Sequence, residues 1–354
     1  MKRSTWSLLL PGVLLCAFAS TVSAHDTYRI TSIGPGPADP GYQIIYANGM
    51  NDKGEVVGAI YGANVGWVWS HGQFTYLSHL PDAASAYSEP YAINNRSVVA
   101  GVSLDDQFHQ RPVVWRNGEI RDLGAFPDEN LVTLYDINDL GVIAGDLFSD
   151  TFGISGGVAV LGDHGTTLPA LPGGSGFTFA GRINEWGVIA GTSDSANGFR
   201  GVVWTLTGVH DLGTLPGVTQ VQAGDINDLG AVAMELRYPE YIRGGVWRNG
   251  HITELPLLYT GTTVSTYASG INNRGQMAGG TSGATLDQFA VVWDDGTAYD
   301  VNDLIRPNDP LKAYVTFFGC QDINNNGQIL AQGRDSRAPN RLAIYLLTPV
   351  RGGH

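Results

Sequence analysis

The chain has 354 residues, 43% of them hydrophobic, and its net charge of −13 comes without any basic run. That balance argues against nucleic acid or an anionic membrane surface as a partner. Its 48 glycines and 10% aromatic residues suit many short strands and tight turns better than helices.

The chain opens like a secretory leader. Lys2 and Arg3 give a basic start, Leu8 to Phe18 an apolar stretch, and Val22-Ser23-Ala24 a small-residue cleavage site before His25. The apolar part is too short to span a bilayer, and no later stretch is long enough. Leu15 stands before Cys16 where a lipoprotein anchor needs a small residue. Residues 1–24 are therefore expected to leave, giving an exported protein, extracellular or periplasmic. Loss of Lys2 and Arg3 takes the charge from −13 to −13 − 2 = −15. Cys16 goes too, so Cys320 has no intramolecular partner, and the fold must be held by its core. Roughly 330 residues can bury about three quarters of their unfolded surface.

From residue 51 onward the chain repeats itself. Asn51, Asn94, Asn138, Asn184, Asn227, Asn272 and Asn324 each open a four-residue turn between two apolar runs, at spacings of 43, 44, 46, 43, 45 and 52 residues. Two clear copies are Asp136-Ile137-Asn138-Asp139-Leu140-Gly141-Val142-Ile143-Ala144-Gly145 and Arg182-Ile183-Asn184-Glu185-Trp186-Gly187-Val188-Ile189-Ala190-Gly191. Asn with Gly at the fourth position predicts a hairpin turn ending in a left-handed residue, and Ser97 is the lone departure. A third apolar strand follows in each copy and usually ends in Trp, as in Val113-Val114-Trp115 and Val203-Trp204, with Leu161 and Tyr345 at that position in the third and seventh copies. Next comes a two-residue turn such as Asn117-Gly118 or Asn249-Gly250, then a fourth strand ending in Asp-Leu-Gly at 122–124 and 211–213. Four short antiparallel strands in about 40–45 residues make one propeller blade.

The seventh copy lacks its fourth strand, and Thr31-Ser32-Ile33-Gly34 mirrors the missing piece. The expected fold is an all-β, seven-bladed β-propeller over residues 25–354, a single domain. An N-terminal strand at about 27–34 is expected to complete the last blade and cover its edge. The long final spacing reads as a surface loop from Asn302 to Leu311, with Pro307 and Pro310.

Asp211-Leu212-Gly213-Thr214-Leu215-Pro216-Gly217, the Asn184 phrase and Ala290-Val291-Val292-Trp293 together resemble the HAF-repeat family of bacterial extracellular proteins. The chain departs from the family's His-Ala-Phe triplet: Phe289 stands where His is expected, and other copies carry Arg. The resemblance implies an exported repeat protein and no agreed activity.

Two recurrences are candidate binding positions. Arg111, Arg200, Arg243 and Arg341 stand four residues before the third-strand aromatic. They read either as a ring of guanidinium groups for an acidic ligand or as partners of the loop acids Asp105, Asp194, Glu240 and Asp335. Two residues before the anchor Asn stand Asp136, Arg182, Asp225 and Asp322, with Gly or Ala in the other copies. There they would line the central channel and hold a polar ligand or a cation, serve as acid and base on a sugar, or bond their own turn or the neighbouring blade. The tryptophans beside Val read as packing between blades, while Trp67 and Trp186, off that position, read as exposed contacts. Cys320 occupies a position that is Ala in other copies and reads as a small buried slot. No metal spacing, phosphate loop, dinucleotide fingerprint or nucleophile elbow occurs, so no catalytic residue, metal or cofactor is assigned. The expected function is an exported, monomeric binding scaffold for a polymer or protein ligand. The alternative is a secreted carbohydrate hydrolase or lyase working from the channel.

Overall fold

The computed structural model describes residues 26–34, 45–124, 131–149, 154–162, 164–259, 265–283, 288–338 and 342–350. The leader at 1–24 and Arg341 lie outside the described residues. Seven four-stranded antiparallel sheets form a ring of blades, spanning residues 45–76, 88–122, 131–167, 178–211, 220–254, 265–300 and 315–350. In each blade the first strand lies innermost. First strands of successive blades touch all the way round, and that of blade 7 touches that of blade 1. The protein is an all-β, seven-bladed β-propeller.

The anchor turn follows from local chemistry. Asn184 Oδ1 accepts the backbone N–H groups of Trp186 and Val188, at 3.1 and 3.0 Å, and Gly187 N donates to the Asn184 carbonyl at 3.0 Å. The fourth residue is left-handed, with φ of 78° at Gly187 and 58° at Ser97. Ser97 bears that strain while its hydroxyl donates to Glu55 of the preceding blade at 2.6 Å. Asn117-Gly118 and Asn249-Gly250 both have positive φ at each residue, the backbone a two-residue hairpin requires.

Every first strand carries a bulge just before the anchor, for example between Leu134 and Asp136 and between Ala223 and Asp225. A bulge re-aims the side chain that follows it, and here that is the residue two before the Asn. The second strand must lie close against this bulge. A Cβ on Gly58 or Gly279 would fall 2.0 Å from a first-strand carbonyl, so neither position admits a larger residue without a shift of backbone. The third-strand tryptophans plug the gaps between blades. Trp115, Trp204 and Trp293 are buried, and each donates its indole N–H at 2.8 Å to a carbonyl in the segment entering its blade, those of Ser78, Pro169 and Pro256. Trp67 does not project outward as expected. It is fully buried and edge-on to Phe74, because successive strand residues alternate faces and its face is the inter-blade one. Trp186 is 75% exposed. Cys320 is a buried free thiol, pushed up to about 12 by burial, which keeps it unreactive.

Thr27–Ser32 runs antiparallel to Leu342–Val350 as the outermost strand of blade 7, with Tyr28 opposite Pro349 and Ser32 opposite Tyr345. The segment expected as a surface loop is instead a clasp. Tyr28 N donates to Leu304 O at 2.8 Å, Arg306 N to Tyr28 O at 3.0 Å, and Ile30 N to Asp309 Oδ2 at 2.9 Å. Val301 and Ile305 are buried with Tyr28, Ile30 and Phe317 in one core cluster. Its prolines mark turns correctly, but an otherwise open strand edge gives those turns something to pack on.

Removing residues 26–34 would uncover that cluster and leave the last strand of the chain as an open edge. Thermal unfolding is expected to show a fall of at least 10 °C or aggregation, since about 1 kcal/mol shifts a domain this size by a few degrees. An unchanged midpoint would mean the strand contributes nothing to closure.

Candidate functional site

The channel is built in layers from the first strands. At the face bearing the anchor turns, the seven Asn side chains close a circle. Asn51 Nδ2 donates to the Asn94 carbonyl at 2.9 Å, Asn94 to Asn138 at 2.9 Å, Asn138 to Asn184 at 3.1 Å and Asn184 to Asn227 at 3.2 Å. Asn227 continues to Asn272 at 2.9 Å, Asn272 to Asn324 at 3.1 Å, and Asn324 returns to Asn51 at 2.9 Å. All seven are buried.

A second circle runs through the residue after each anchor: Asp52, Asn95, Asp139, Glu185, Asp228, Asn273 and Asn325. Each backbone N–H donates to the side chain of the next blade, at 2.8 to 3.0 Å, and Asn325 closes onto Asp52 at 2.8 Å. The sequence carries this pattern as an unbroken column of acids and amides after the anchor. It has no meaning until the blades are placed side by side.

Behind these circles the structure brings Asp136, Arg182, Asp225 and Asp322 together around a cavity of about 130 Å³. Arg182 of blade 4 reaches across to Asp322 of blade 7, Nη1 to Oδ2, at 3.6 Å. Asp136 accepts from its own strand at Ile137 N (2.9 Å) and from the next blade at Ile183 N (3.0 Å). Asp225 repeats this with Ile226 N at 2.8 Å and Ile271 N at 2.7 Å. Asp322 Oδ1 accepts Ile323 N at 2.8 Å. Asp136 and Asp225 therefore staple neighbouring blades, Asp322 is held from its own strand, and Arg182 fills the channel between them. Burial pushes the Asp225 carboxyl up to about 7 against the pull of Arg182, and burial raises Asp136 in the same way. Asp322, the largest influence, holds the Arg182 guanidinium above its usual range. Among the described residues, no group of three or more acid, His or Cys side chains is placed to hold a metal ion.

Arg111, Arg200 and Arg243, the described arginines before the third-strand aromatic, each find a separate local contact. Arg111 pairs with Asp122 at 2.9 Å and Arg200 with Asp211 at 3.2 Å. The partner is thus the Asp of the Asp-Leu-Gly phrase on the adjacent fourth strand, not a loop acid. Asp105 instead accepts from Gln107 and His109, Asp194 binds Ser175, and Asp335 binds Arg337. Antiparallel register explains the correction: Val113 lies opposite Asp122 and Val202 opposite Asp211, within reach of an Arg two residues back on the same face. Arg243 is buried, its guanidinium 4.3 Å over the Tyr241 ring.

At the opposite end of the channel, where the first strands enter, a cavity of about 510 Å³ opens between blades 4 and 5. Tyr135, Phe179, Phe199, Gln220, Gln222 and Glu235 line it. Sequence reading missed it because its three aromatic residues, Tyr135, Phe179 and Phe199, share no repeat position. The available signal was the pair Gly181 and Gly224 at the bulge, where other copies carry Asn48, Tyr91, Tyr135, Ser269 and Gln321.

Asn184→Ala removes one link of the buried circle and the Oδ1 acceptor of two N–H bonds within the turn, so chemical denaturation should show a loss of about 3 kcal/mol. Arg182→Met leaves the channel carboxylates without their counter-charge and should cost about 3–5 kcal/mol at pH 8. The sign of the pH effect follows from the raised carboxyls. Asp136 and Asp225 bind protons more tightly folded than unfolded, so their contribution is full below about pH 4 and is lost as pH rises, for Asp225 through about 7. The Arg182→Met deficit should therefore shrink at pH 5, and an equal deficit at both pH values would contradict the assignment.

The chain matches no protein-family model and no curated protein. Solved structures match its fold. It is similar to the β-propeller domain of the Trilobed protease from Pyrococcus furiosus, at 9% identity and a TM-score of 0.60, covering 87% of this chain and 94% of that one. It is also similar to YCF48 bound to D1 peptide, at 11% identity and a TM-score of 0.52, covering 94% and 98%. At such identities the likeness is one of fold alone.

Proposed function

We propose that this protein is an exported, non-enzymatic propeller that binds a polymer or protein ligand at the strand-entry face. One observation carries the reading: the two ends of the channel differ in kind. At the turn face every anchor is locked into a circle and Arg182 fills the centre. At the other face aromatic rings stand partly in water, with Tyr135 and Phe179 each 38% exposed beside the larger cavity. Exposed rings at a concave, rigidly framed site are what a binding surface needs. Export draws on the leader-like residues 1–24, the acidic charge and the resemblance to HAF repeats. Among the described residues no helix is long and apolar enough to cross a membrane.

The hydrolase reading draws on Asp225, whose carboxyl near 7 suits a general acid. Both its oxygens are held by backbone N–H groups, and Arg182 stands between it and Asp322. That geometry favours a structural carboxyl over one that trades protons with a substrate.

The two readings separate in one experiment. Immobilised glycans and peptides would be screened for binding, and every ligand then checked by chromatography for cleavage. Binding without cleavage, retained in Asp225→Asn, is the expected result. Cleavage abolished by Asp225→Asn would replace the scaffold with an enzyme.

A further inference from the structure

Departures from the repeat cluster where blades 4 and 5 meet at the strand-entry face. Gly181 and Gly224 replace the larger bulge residues of other blades, and Met234 replaces the close-packed second-strand glycine found at Gly58, Gly101, Gly145, Gly191 and Gly279. Each change is local, yet all border the same cavity. Phe179 and Phe199 form its corner, ring centres 6.2 Å apart and planes inclined at 57°. Tyr135 forms a third wall. Its hydroxyl donates to the Asp146 carboxyl, which also accepts Ala180 N at 2.8 Å, so the ring is fixed to both blades it borders.

The polar lining is neutral in sum. Arg237 donates to Glu235 at 2.9 Å and to Gln222 Oε1 at 3.1 Å, cancelling the one carboxylate and leaving the Gln222 amide N–H groups for the cavity. Gln220 adds a second amide. Angled apolar rings with neutral donors and acceptors between them match a ligand that has apolar C–H faces and a belt of hydroxyls. A phosphate or a carboxylate would find no unpaired cation here, and a cation would find its carboxylate already taken.

We propose that this cavity is a binding site for a neutral sugar ring. The sugar would be stacked in the Phe179–Phe199 corner with its hydroxyls bonded to Gln220 and Gln222. This deepens the binding reading above and rests on it.

Gly224 offers a direct test. A Cβ there meets nothing nearer than the Ala233 carbonyl at 3.9 Å, so a side chain can start at this position without a backbone clash, and Gly224→Trp is designed to occupy the cavity. Methyl glycosides of glucose, galactose, mannose and N-acetylglucosamine, with their short β-linked oligomers, would be titrated by saturation-transfer NMR and calorimetry. The protein would be wild type, Gly224→Trp, Phe179→Ala and, as a turn-face control, Trp186→Ala. At least one glycoside should bind, with affinity falling ten-fold or more in Gly224→Trp and Phe179→Ala, unchanged in Trp186→Ala, and thermal midpoints near wild type for Gly224→Trp. Absence of binding by every glycoside, or binding indifferent to Gly224→Trp, would overturn the assignment. N-acetylphenylalaninamide bound in place of sugars would also overturn it and leave the scaffold reading standing. Cleavage of a bound glycan would instead overturn the scaffold reading and keep the site.

Discussion

Seven independent sheets have no covalent reason to stay in a ring, and the circle of Asn side chains supplies a geometric one. Each amide satisfies the turn of its own blade through Oδ1 and the carbonyl of the next through Nδ2. A single residue type therefore couples folding of a blade to its docking. Asp would keep the first role and set an oxygen against a carbonyl in the second; Gln would move the amide out of reach of the turn. Because each bond is buried, breaking it strands a polar group, which costs more than the roughly 1 kcal/mol net value of making it.

The circle also fixes what the channel can do. Bulged first strands aim the residue two before the anchor inward at every blade, so small residues at Gly49, Ala92 and Gly270 leave space while Asp136, Asp225 and Asp322 concentrate charge. Three buried carboxylates without compensation would oppose closure. The structure answers with backbone N–H groups, with a guanidinium spanning from blade 4 to blade 7, and with carboxyls raised toward protonation. These groups hold the ring together, and that role consumes the donors and acceptors a substrate would need.

Much of the frame was legible in sequence because it depends on local rules repeated seven times. Asn184 with Gly187 writes its own turn, Asn117-Gly118 its own hairpin, and Val-Trp its own buried face. What escaped depends on contacts between copies or on single departures. The acid and amide column after the anchor makes sense only across blades. Sequence offers Arg111 an acidic ligand or a loop acid near in sequence, whereas strand register brings it to Asp122. Residues 302–311 read as a free loop because nothing local says that Tyr28 lies beneath them. The aromatic cavity was hidden for the opposite reason: Phe179, Phe199 and Tyr135 hold three different repeat positions.

Closure and binding thus draw on different parts of one repeat. Positions that every blade needs, the anchor, the left-handed turn residue and the third-strand apolar run, cannot vary without cost to the ring. The bulge residue three before the anchor is skipped by the ladder register, and where it bonds it reaches between blades: Asn48 Nδ2 donates to Pro90 O at 2.7 Å and Gln321 Nε2 to Ala47 O at 3.1 Å. It is also the position that faces the channel at the strand-entry end, and it changes from Asn to Tyr to Gly while every blade keeps its four strands. A cavity at that position is where a propeller of this design can acquire a ligand while its frame stays fixed. The two glycines that open it fall in adjacent blades, which is the least change that yields one pocket rather than two separate notches.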